Sequence, residues 1–184
     1  MLSLTAEIEA ARAKWRYRGE DRPDFAHAQG QFEESVWDYP RPPAMVPDAR
    51  LVQVLVDDKV VAATREAIRV LETASPPTVY IPPDDVEWEW LVPTANESLC
   101  EWKGIATSFD LALDQERVEA AAWVYERVFP EFADIQGWVS FYPGKVSCLV
   151  EGESVYPQPG GYYGGWVTRE IMGPFKGEPG TESW

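Results

Sequence analysis

Cys100-Glu101-Trp102-Lys103-Gly104 is the stretch of this chain with the most chemistry in it. A thiol lies three residues before an ammonium. A thiolate is favoured beside a positive charge, and a desolvated lysine can act as a base. In a regular strand the two would not meet, because Cys100, Trp102 and Gly104 would share one face and Glu101 and Lys103 the other. A bulge would bring them together, and Gly104 is a place for one. The plainer alternative makes Cys100 a small buried hydrophobe and Lys103 a surface or ion-paired residue.

A second set is aromatic: Tyr80, Trp102, Trp123, Tyr125 and Tyr142. Such rings can form a cage for a flat or cationic ligand. The same rings could equally be core. Trp123 and Tyr125 share a face if their segment is a strand, which suits both readings. Other chemistries find little here. The one histidine, His27, lies in a proline-rich arm, where a surface or capping role is expected, so no Ser-His-Asp set is expected near the CEWKG stretch. There is no GxxxxGK[ST] loop, and GGYYGG lacks the GxGxxG spacing. Two cysteines and one histidine cannot supply a zinc site alone, so none is expected; a carboxylate-assisted metal site is left open. The sequence names no cofactor.

These residues need elements to hold them. The chain has 184 residues, of which 45% are hydrophobic and 13% aromatic, enough for one domain with a real core and extensions. Its formal net charge of −15 repels phosphate backbones and anionic lipid, and no basic patch offsets it. Neither a nucleic-acid partner nor a membrane is expected. With no signal peptide or apolar span in view, a reducing, cytoplasmic location with free thiols is expected.

Residues 4–17 read as a helix, with Glu7 and Glu9 early, Arg12, Lys14 and Arg16 late, and Leu4, Ile8, Ala11 and Trp15 as a narrow apolar stripe. It is read as a lid on the chain's own core. Residues 19–48 form a proline-rich arm whose Phe25, Phe32, Trp37 and Tyr39 must be buried on the domain or on a second subunit. The core domain is read as residues 49–155. It opens with a hairpin, 51–56 and 60–63, around Asp57-Asp58-Lys59. Residues 64–73 fit either a helical turn or a strand, and 78–81 a short extended piece.

Val86, Trp88 and Trp90 alternate with Glu87 and Glu89, which reads as a half-buried strand over 86–91. Residues 98–109 read as one strand interrupted at Gly104. Asp114-Gln115-Glu116 is a turn, and 115–129 is either strand or helix. A short helical turn over 131–135 precedes a strand, 137–142, that pairs with 146–150 across Pro143-Gly144. Glu151-Gly152 closes that pair. The remainder, 156–184, carries seven glycines and reads as an ordered strap pinned by Tyr162, Tyr163, Trp166, Phe175 and Trp184, with 166–172 its only regular piece.

Five motifs in this order resemble one bacterial family, the domain of unknown function 427 family. They are Leu71-Glu72-Thr73, Pro76-Pro77-Thr78-Val79-Tyr80-Ile81-Pro82, Cys100-Glu101-Trp102-Lys103-Gly104, Ala122-Trp123-Val124-Tyr125 and Phe141-Tyr142-Pro143. The flanks ESVWDYPRPP, YGGW and GPFKG are similar to those of longer members. The resemblance implies a mainly β fold with minor α: a single compact, tent- or barrel-like β-domain, usually without zinc. It implies no activity, and no residue set here supports the nucleotidyltransferase label attached to such domains. Ser75 stands where many relatives have histidine, so a haem- or metal-ligating role for that position is not carried over. The pattern also pairs Glu72 with Lys103, either for proton transfer or as a buried ion pair that fixes register.

Three functions follow. The favoured one is a small-molecule-binding module with an aromatic-lined pocket. The second is an enzyme, for instance a transferase, using Cys100 or the Glu72–Lys103 pair. The third is a homo-oligomer joined through arm and strap.

Overall fold

The structure is a computed structural model and describes residues 1–113 and 116–184. The turn read at Asp114-Gln115 lies outside the described residues. Sheets dominate. Strands β1 (Glu34–Ser35) and β2 (Ala44–Asp48) belong to the arm. Then come β3 (Val52–Val56), β4 (Lys59–Thr64), β5 (Ala67–Glu72) and β6 (Ser75–Tyr80). The long strands follow: β7 (Leu91–Cys100), β8 (Gly104–Leu113) and β9 (Glu116–Val128). The shorter ones are β10 (Val139–Phe141), β11 (Ser147–Val150), β12 (Glu153–Ser154), β13 (Tyr156–Pro157), β14 (Trp166–Val167) and β15 (Ile171–Met172).

Two four-stranded sheets, β10-β9-β8-β7 and β12-β11-β3-β4, and a three-stranded sheet, β2-β5-β6, make the body. A bridge between Ile81 and Val139 joins β6 to β10. The sheets stay open and do not close into a barrel. Among the described residues no helix is long and apolar enough to cross a membrane.

Alternation along the strands divides the interior in two. In β3, Val52, Val54 and Val56 face the main core while Gln53 and Leu55 lie on the other face. In β9, Ala122 and Val124 join that core, whereas Trp123 and Tyr125 enter a second cluster with Tyr80, Trp102 and Val128. β9 is therefore a strand, and the helical alternative over 115–129 does not form. Its run of alternating large and β-branched residues fills both faces of a central strand.

Other expectations need correction. Residues 86–91 are not a strand: Trp88–Trp90 is a 3-10 turn, folded back by the Trp88 indole donating to the Pro83 carbonyl at 2.8 Å. Residues 98–109 are not one strand but a hairpin, with Cys100 opposite Gly104 across the Glu101–Lys103 turn. β10 and β11 do not pair: β10 joins β9, and β11 joins β3. The helix is shorter than read, Ala6–Ala13, with Thr5 as its N-cap.

The arm folds onto its own domain. Val36 and Trp37 are fully buried with Ala74 and Ile171, and Phe25 stacks on Trp184 of the strap with centroids 5.1 Å apart. Phe32 instead stays exposed.

Candidate functional site

The β5–β6 turn is where arm and strap meet. Thr73 Oγ1 donates to the Tyr39 carbonyl at 2.5 Å, and Arg41 Nη2 donates to the Thr73 carbonyl at 2.7 Å. The Ala74 N–H donates to Val36 at 3.0 Å, and the Lys176 N–H to the Ala74 carbonyl at 2.7 Å. Ala74 holds a left-handed φ of 69°, which these contacts enforce. This knot sets Glu72, Arg41 and Lys176 at the mouth of the second cluster.

There the chain encloses a pocket of about 620 Å³, within the usual range for small-molecule sites. All eight residues singled out from sequence line it. Trp123 and Tyr125 come from the pocket face of β9, and Tyr80 from the end of β6. The Trp123 indole donates to the Tyr80 hydroxyl at 3.4 Å, and its ring lies 4.4 Å from that of Tyr142. Gly164 of the strap lies so close over Trp123 that a Cβ there would sit 2.1 Å from the indole.

Cys100 and Lys103 do come together, through the hairpin turn rather than through a bulge. Gly104 ends that turn with φ 133°, its Cα so close to the Arg127 carbonyl that a Cβ would sit 2.1 Å from the oxygen. Burial pushes the Cys100 thiol up although Lys103 pulls it down, so the sulfur keeps its proton at neutral pH. Burial also pushes the Tyr80 phenol up to about 12 and Tyr125 well above the usual range. For Lys103, burial acts against the charge and the carboxylates of Glu72 and Glu101 act for it, and the net direction is up. Lys103 is an ammonium, 5.8 Å from the Tyr125 ring centre.

The Glu72–Lys103 ion pair does not form. Glu72 Oε1 accepts instead from Arg41 Nε at 3.1 Å, and the arginine side chain is completely buried. The arm contributes this cation, which a reading confined to the core motifs could not supply. Among the described residues Lys103 Nζ makes no hydrogen bond or ion pair.

Four residues at the rim escaped the sequence reading. Trp15, read only as part of a helical stripe, donates its indole N–H to Glu101 Oε1 at 2.6 Å. The Arg41 guanidinium lies 4.6 Å from its ring centre and Lys176 Nζ 3.4 Å. Tyr163 is the fourth, its ring centre 5.2 Å from Lys176 Nζ. Lys176 is buried, and that burial lowers its ammonium to about 8; Arg41 and Lys14 push the same way, Glu72 and Glu101 against. A lysine inside an aromatic, glycine-rich strap was the available signal.

A scan against protein families matches residues 44–152 to the family described as Domain of unknown function (DUF427). The chain belongs to this family. No curated protein matches it. The DUF427 portion contains all eight residues found from sequence, so the aromatic floor and Lys103 lie within the family's span. Trp15, Arg41, Tyr163 and Lys176 lie outside it, in the helix, arm and strap that close over the DUF427 portion.

Proposed function

We propose that this protein is a binding module for a small planar molecule held in the aromatic pocket, without turnover. The observation that carries this reading is the convergence of Tyr80, Trp123, Tyr125 and Tyr142 on one cavity of about 620 Å³. Facing rings give a flat ligand large contact area at low entropic cost, since the rings are held by one another before it arrives.

The enzyme reading draws less support. A cysteine nucleophile needs a thiolate, and Cys100 is pushed the other way. A Glu72–Lys103 proton shuttle needs a carboxylate free to exchange protons, and Glu72 is held by Arg41. The arm and strap pack Trp37, Tyr39, Phe175 and Trp184 together within one chain, while Phe32, Tyr156 and Tyr162 stay exposed, so the oligomer reading has exposed rings but no arm-to-strap seam to use.

Native mass spectrometry of the purified chain, with an absorbance scan beside it, tests the proposal. A co-purified small mass that is lost in Trp123→Leu supports it. A bare chain that also takes up no planar aromatic compound from an added panel contradicts it.

A further inference from the structure

The pocket's polar atoms are unevenly matched, and the imbalance points to the ligand's charge. Every lining carboxylate already has a donor. Glu72 has Arg41 at 3.1 Å, Glu97 has Arg127 at 2.6 Å, Glu101 has the Trp15 indole at 2.6 Å, and Glu182 has the Gly180 N–H at 3.1 Å. The donors are different. Among the described residues neither Lys103 Nζ nor Lys176 Nζ finds an acceptor, and both lie against aromatic rings. Trp102, buried and lining the same pocket, has an indole N–H with no acceptor either. The buried Trp102 donor is costly without an acceptor, and the two ammoniums, which reach the pocket's open space, have no protein acceptor there.

We infer that the ligand is a planar organic anion, a conjugated or aromatic acid, whose carboxylate or equivalent oxyanion is received by Lys103, with Lys176 at the rim as a second cation. This rests on the binding-module reading and sharpens it. An anion supplies the acceptors that the chain lacks there, and its flat body suits the rings. A cationic ligand would meet two ammoniums without protein acceptors, and lining carboxylates of which Glu72 and Glu97 are already paired with arginines. The chain as a whole carries −15, so the lysines at this pocket are a local concentration of positive charge on an acidic protein. Because Lys176 comes from the strap, the charge at the rim depends on the strap being in place.

Calorimetric titration of the full chain with three probes of one shape tests this: 2-naphthoate, 2-naphthamide and 2-naphthylmethylammonium. The naphthoate is expected to bind at least about tenfold tighter than the amide, the difference made by a charge-assisted hydrogen bond. Lys103→Met is expected to remove that advantage, and Lys103→Arg to keep most of it. Should amide or ammonium bind as well as naphthoate to the unaltered chain, the anion inference falls and the pocket reading stands. Should none of the three bind to a chain that circular dichroism shows to be folded, the pocket reading itself falls. The comparison on the unaltered chain decides the matter even if a variant fails to fold.

Discussion

Glu72 is held by Arg41, Oε1 to Nε at 3.1 Å, and not by Lys103. The arginine's other nitrogens donate to the carbonyls of Tyr17 and Thr73, so one buried guanidinium ties the segment after the helix, the arm and the β5–β6 turn together. Removing one partner of such a pair leaves an uncompensated buried charge. Glu72→Gln is expected to cost about 3 kcal/mol in urea unfolding, and Lys103→Met little or nothing. Equal losses in the two variants would mean that Lys103 is the true partner.

The strap's approach to the pocket is set by a glycine. At Gly164 a Cβ would strike Trp123, which Tyr80 and Tyr142 already confine. Gly164→Ala should therefore cost about 2–3 kcal/mol by overpacking. Gly161 has open space around it and a φ of 71°, so Gly161→Ala should cost only about 1 kcal/mol of backbone strain. Thermal unfolding of the two variants checks the order; the reverse order would remove the contact from the account.

Much of this was legible in the sequence where the signal was local. Trp123 and Tyr125 sharing a face follows from strand periodicity, and the Asp57-Asp58 hairpin from turn chemistry. What was not legible depends on contacts far apart in the chain. The alternation over 86–91 imitates a strand, yet the Trp88 indole finds a carbonyl five residues back and the segment turns. The partner of β10 is chosen by β9 and not by the adjacent Pro143-Gly144 turn. Lys176 reaches the pocket because its N–H binds Ala74 and its carbonyl accepts from Gln158 at 2.7 Å, neither of which a linear pattern encodes.

Arm and strap hold one another through Trp184, which stacks on Phe25 and meets Trp37 edge-on at 5.2 Å. Trp184→Ala is expected to expose the arm, so that limited proteolysis cuts within residues 19–33 well before the body. An unchanged digestion pattern would show that the arm is fixed by other contacts.

The alkaline side should be the weak one. Tyr80 titrates at about 12 when folded against about 10 unfolded, so the stability it contributes is whole below pH 10 and is lost as pH rises toward 12. Tyr39, Tyr125, Tyr142 and Tyr163 are raised in the same direction, and so are both thiols. Lys176 acts oppositely: held near 8 when folded, it adds stability as pH climbs from about 8 to its ordinary value. One lysine is outnumbered, so the urea midpoint is expected to fall steeply above pH 10. Absorbance showing all eight tyrosines ionised near pH 10 while the chain stays folded would contradict this.

The most direct test of the central claim uses the nine tryptophans as reporters. Indole N–H signals of the ¹⁵N-labelled chain would be followed during titration with 2-naphthoate. Trp15, Trp102 and Trp123 line the pocket, while Trp37 and Trp166 are buried elsewhere in the core. The expected result is saturable shifts at the first three with Trp37 and Trp166 unmoved. Shifts confined to other indoles, or none at saturating probe, would contradict a ligand site in this pocket.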